Sequence, residues 1–79
     1  MNREELMKKL EVIFADVFGD ENIRINEKTN ADDIEAWDSL TNISILAAVQ
    51  DELSVTFEMD EIVSMQNVGE MLDAIMGKM

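Results

Sequence analysis

Proline is absent from all 79 residues of this chain, and its three glycines stand singly at positions 19, 69 and 77. A backbone with so few breakers is free to run in long helices. Its apolar residues agree, recurring at helical spacing. Leu6, Leu10, Ile13, Phe14, Val17 and Phe18 make one stripe, which predicts a first helix over about 2–18. Asn2 caps it with Glu5 three positions on, and Gly19-Asp20 stops it. Glu4, Lys8 and Glu11 fall on the opposite side. Residues 20–38 read as a long connection, with Ile23 and Ile25 tucked over the core as a lid and Ile34 and Trp37 as further anchors. Asn30 starts a short turn there. Asp38 then caps a second helix over about Ser39–Leu53. Val55 and Phe57 follow in an extended stretch. Asp60 is expected to cap a brief third helix holding Ile62 and reaching toward Met65. Asn67 and Glu70 open the last helix, with Val68, Met71, Leu72, Ile75 and Met76 on its inner face. The expected fold is all-α: a four-helix bundle of three longer helices and one short one, with a long first loop. A chain of this length has material for one core, so 1–79 is read as a single domain.

Charge narrows the function classes. Six Lys and Arg stand against eighteen Asp and Glu, a net charge of −12. Nucleic-acid and anionic-membrane ligands require the opposite sign, and a basic protein partner is the natural complement. The chain lacks Cys and His, which removes disulfides, Cys/His zinc sites and thiol or imidazole catalysis. No apolar run approaches the length of a membrane-spanning helix, and Met-Asn-Arg-Glu-Glu carries no apolar signal core, so a cytoplasmic location and no membrane insertion are expected. A monomer is expected. The acidic run Asp32-Asp33-Ile34-Glu35 lacks the residue order of a calcium loop, and no Gly-rich phosphate cradle precedes a helix.

One position stands apart. Ser39 opens the second helix directly after Asp38. A helix N-terminus offers unpaired N–H groups and the positive end of the dipole, which favour an anionic group such as a phosphate. A hydroxyl placed there after a long loop suits phosphodiester attachment. By spacing alone, Asp38 and Ser39 read better as ordinary capping residues than as an attachment site.

The wider context adds a family resemblance. Asp38-Ser39-Leu40 sits at the head of an amphipathic helix near the centre of a short acidic chain. The helix continues Thr41-Asn42-Ile43 and Leu46-Ala47-Ala48-Val49-Gln50-Asp51-Glu52-Leu53. Val55-Thr56-Phe57, Asp60-Glu61-Ile62 and Val68-Gly69-Glu70-Met71-Leu72 follow. This pattern resembles the acyl carrier proteins over essentially the whole chain. The resemblance implies an acyl-carrier-like fold and places 4′-phosphopantetheine, donated by coenzyme A, on Ser39. It implies a phosphopantetheinyl transferase as one partner, with Asp38 in the transferase's recognition of the site. Acyl groups would ride as thioesters on the prosthetic thiol, which accounts for thioester chemistry in a chain without Cys. The carrier itself would be no enzyme.

The second helix holds more apolar residues than one core stripe requires. Under the resemblance, Leu40, Ile43 and Ala47 form the centre of a docking patch for acyl-loading, synthase or acyltransferase enzymes with basic surfaces, and Asp51 and Glu52 supply charge at its far end. Ile43 and Ala47 read alternatively as core residues. Thr41, Asn42, Ser44 and Gln50 stand where common fatty-acid carriers place acids, which suggests a specialised acyl, lipid or polyketide-type pathway. Trp37 is also unlike that pattern and reads as a core anchor. Residues 29–77 contain eleven acids and no base, so the Ser39 side is expected to be the acidic side. The Met residues around the last two helices read as soft core filling. A different class remains beside the carrier: an unmodified acidic helical adaptor, which would keep its partner after Ser39→Ala. A hydrolase would need Ser39 activated by a base that the sequence does not place.

Overall fold

The computed structural model describes residues 2–79 and contains four helices: α1 (Arg3–Phe18), α2 (Ser39–Leu53), α3 (Met59–Ser64) and α4 (Val68–Met76). α1, α2 and α4 each begin at a residue whose side chain accepts from one of the helix's free N–H groups. Asn2 Oδ1 accepts from the Glu5 N–H at 2.8 Å, and Gly19 ends α1 in the left-handed region at φ 66°. Asp38 Oδ1 accepts from the Thr41 N–H at 2.9 Å, and the Thr41 hydroxyl accepts in turn from the Asp38 N–H at 2.8 Å. This reciprocal pair is a capping box with Thr in place of the usual acid.

The short helix departs from expectation. Glu58, not Asp60, is the N-cap of α3, and its N–H donates to Glu61 Oε1 at 3.0 Å. Asp60 lies inside the first turn, where its charge complements the dipole. Met65 is the C-cap and lies outside the helix. None of α3's six residues is fully buried. It is held to the chain's end by Lys78, whose Nζ meets Glu61 Oε1 at 2.8 Å and lies 5.5 Å from the Phe57 ring centroid.

α1 packs on α2 and α4. Leu6, Leu10, Ile13 and Phe14 of α1, Ile45, Leu46 and Val49 of α2, and Val68, Met71, Leu72 and Ile75 of α4 form the core. At about 25 cal/mol per Å² of apolar surface, burial of such aliphatic side chains supplies the main driving force for folding. Ile23, Ile25 and Trp37 close the core from the long loop, and Val55 and Phe57 from the α2–α3 connection. Val17, Phe18, Ile34, Met65 and Met76 are half-buried against it.

The long loop is ordered by its own polar groups. Glu11, placed on the polar side of α1 by its spacing, is half-buried and its carboxylate accepts from the Ile25 N–H at 3.0 Å. Thr29, the buried polar residue among those described, accepts from the Asn26 N–H at 2.8 Å. The loop then roofs the start of α4. The Val68 N–H donates to the Thr29 carbonyl at 2.9 Å and the Gly69 N–H to the Glu27 carbonyl at 2.8 Å. The Glu70 N–H donates to Asn67 Oδ1 at 2.8 Å, so the whole first turn of α4 is satisfied by protein. Glu70 itself reaches back to the Gln66 N–H, one residue before the cap. Gly69 is required by the close approach: a Cβ there would stand 2.9 Å from the Glu27 carbonyl oxygen.

Candidate functional site

The start of α2 is treated differently from that of α4. No loop carbonyl covers the Ser39 N–H among the described residues. The Ser39 side chain is exposed, and its hydroxyl has no hydrogen-bond partner among the described residues. Asp38 beside it is also exposed. The Thr41 N–H, joined by the Thr41 hydroxyl and the Leu40 N–H, holds its carboxyl below the usual range against partial desolvation. A carboxylate so stabilised is ionised at neutral pH. The arrangement therefore combines a free primary hydroxyl, an uncovered backbone donor and a fixed carboxylate at the positive end of a helix.

Trp37 fixes the approach to this site. Its ring is buried edge-on against Phe14 of α1, with centroids 5.0 Å apart at 80°. Its Nε1–H donates to Asn42 Oδ1 at 3.0 Å, one turn into α2. The loop end is thereby bonded to the helix it introduces. Sequence reasoning placed Trp37 as an anchor but missed Asn42. The available signal was chemical: a buried indole N–H needs an acceptor, and Asn42 lies five residues on.

Behind Ser39 is a shallow recess of about 360 Å³, with Asp38, Ser39 and Asn42 on one side and Met65 and Gln66 from the α3–α4 connection on the other. Trp37 and Ala31 complete its lining.

The predicted docking residues are all on the surface. Leu40 and Ile43 keep 74% and 61% of their area exposed, which removes the core reading for Ile43. Ala47 is exposed as well, so it too is no core residue. The three lie at i, i+3 and i+7 on one face of α2, opposite the buried Ile45, Leu46 and Val49. On α3, Met59 and Val63 are 73% and 70% exposed; the sequence reading took Met59 for core filling and did not single out Val63. Asp51 and Glu52 are exposed but stand about 18 Å along α2 from Ser39, at about 1.5 Å per residue. They border a groove of about 490 Å³ between α1 and α2, facing Lys8, Lys9 and Val12. The structure thus unites Asp38, Ser39 and Asn42 at the start of α2 and places Asp51 and Glu52 at its other end. Among the described residues no helix is long and apolar enough to cross a membrane.

Known proteins share this sequence pattern and this fold. The family model for the phosphopantetheine attachment site matches residues 8–75. Among solved structures, the chain is similar to the holo acyl carrier protein of Geobacter metallireducens, with 32% identity and a TM-score of 0.85 over 91% of this chain and 83% of that one. It is also similar in fold to an acyl carrier protein of Thermotoga maritima, with 23% identity and a TM-score of 0.86 over 99% of this chain and 91% of that one. No curated protein sequence matches significantly.

Proposed function

This chain belongs to the phosphopantetheine-attachment family of acyl carrier proteins, non-catalytic carriers, and from that premise we propose that Ser39 is its attachment residue. The observation that carries this reading is the free, exposed Ser39 hydroxyl at the uncovered N-terminus of α2. The residues fit the group. The Ser39 N–H and the helix dipole favour the phosphodiester charge, whereas the start of α4 is closed by loop carbonyls. When bound, phosphopantetheine supplies the thiol on which acyl groups are held as thioesters, the sulfur that a chain without Cys lacks.

Asp38 is then the residue recognised by the transferase, its carboxylate held ionised and exposed beside the hydroxyl. Leu40, Ile43 and Ala47 form the apolar centre of a docking face for acyl-loading, synthase or acyltransferase enzymes, with Asp51 and Glu52 meeting basic groups at its far end. Small contacts of mixed apolar and charged character suit a carrier that must release each partner. The neutral start of α2, Thr41 and Asn42, supports service in a specialised acyl, lipid or polyketide-type pathway. The protein is read as one cytoplasmic domain acting as a monomer.

Incubation with coenzyme A, magnesium and a phosphopantetheinyl transferase tests this. The intact mass is expected to rise by one phosphopantetheine, and Ser39→Ala is expected to abolish the gain. Folded protein left unmodified by the transferases of its own source would overturn the assignment and leave the unmodified adaptor.

A further inference from the structure

We propose that the recess beside Ser39 seats the neutral, amide-bearing part of the phosphopantetheine arm, with the side-chain amides of Asn42 and Gln66 as its hydrogen-bond partners. The inference rests on Ser39 being the attachment residue and adds where the arm lies on this chain.

Three observations carry it. First, Ser39 itself lines the recess, so a chain grown from its hydroxyl starts at the rim. Second, the two walls present amides. Asn42 is half-buried, and its Oδ1 is committed to the Trp37 indole, which fixes the side chain and leaves its NH₂ as the group to offer. Gln66 comes from the opposite wall. Its backbone N–H is pinned to Glu70 Oε1 at 3.0 Å, while its side-chain amide makes no hydrogen bond among the described residues. Third, the rest of the lining is apolar or aromatic apart from Asp38, whose carboxylate already serves the cap.

This chemistry selects among ligands. Pantetheine is an uncharged chain of secondary amides joined by short hydrocarbon segments. It matches amide walls with Met65 and Ala31 between them. An anionic ligand would meet Asp38 and the surrounding acids instead. Asn42, which departs from the acidic pattern of fatty-acid carriers, acquires a use: an acid at position 42 could accept the indole N–H but could not donate to a carbonyl of the arm.

The test loads the full chain with ¹³C-labelled phosphopantetheine, verifies loading by intact mass, and records NOEs between arm protons and the Met65 methyl and Trp37 ring. A mass gain with NOEs to both residues is the expected result. Gln66→Ala, an exposed position, is expected to weaken those NOEs by roughly two- to tenfold, the worth of one neutral hydrogen bond, with helix content unchanged. A mass gain with sharp, freely mobile arm resonances and no such NOEs overturns the recess and leaves Ser39 standing. NOEs of equal strength in Gln66→Ala overturn the role of Gln66. No mass gain overturns both readings.

Discussion

Single residues decide the two helix starts that matter here. Gly69 lets the loop backbone come within hydrogen-bond distance of α4, and no side chain can share that space. Gly69→Ala pushes a Cβ against the Glu27 carbonyl oxygen at 2.9 Å, and this neighbour is backbone that cannot swing aside. Overpacking of this kind costs about 1–3 kcal/mol. The expected outcome is a melting temperature lower by roughly 4–8 °C per kcal/mol for a domain of this size, read by circular dichroism. An unchanged melting temperature would show that the loop is free to lift from α4. Ser39 is the opposite case: nothing covers it, and Ser39→Ala is expected to leave the fold intact while removing the modification. Trp37 and Asn42 stand between these extremes, since they serve core and site through one bond.

At the scale of elements, the capped helices were legible from sequence because caps are local. Asn2, Asp38 and Asn67 each bond an N–H three residues ahead, and spacing alone reveals such pairs. The start of α3 was misplaced because Glu58, Asp60 and Glu61 are all acceptable near a helix N-terminus, and the short helix buries no residue fully to set its register. The closure of α4 by Thr29 and Glu27 was invisible, since backbone carbonyls carry no sequence signature and the partners lie some forty residues apart in the chain. The exposed position of Ser39 at the head of α2 was legible, and the recess beside it was not, because its far wall comes from the α3–α4 connection. One element end is left strained. Ser54 closes α2 in the left-handed region at φ 56°, where glycine is preferred. Ser54→Gly is expected to stabilise the fold by about 0.5–1 kcal/mol, visible as a shift of the urea midpoint without a change in slope. A lower midpoint would mean that the Ser54 side chain contributes more than its backbone costs.

Over the whole molecule, charge sets both stability and encounter. Arg3 ties three parts of the chain together, meeting Glu27 at 2.6 Å, Asp73 at 2.8 Å and the Gly69 carbonyl at 3.3 Å. Its guanidinium holds the Glu27 carboxyl below the ordinary value of 4.5, chiefly through their hydrogen bond. Lys78 does the same for Glu61. A group whose folded pKa is depressed binds its proton more readily when unfolded. Its contribution is therefore present above the unfolded value and is lost as pH falls through the folded one. The melting temperature is expected to fall as pH is lowered from about 5 to about 3, and Arg3→Gln to make that fall shallower. At neutral pH the self-repulsion of −12 charges opposes these ties, so added salt should raise the melting temperature of both proteins. An acid slope identical in the two would show that Arg3 does not govern Glu27. One last consequence lies in Trp37, the only indole in the chain, set where α1, the long loop and α2 meet. Its emission belongs to that junction alone. Because Trp37 also lines the recess beside Ser39, a group seated there will change the ring's surroundings and shift its emission, with no label added.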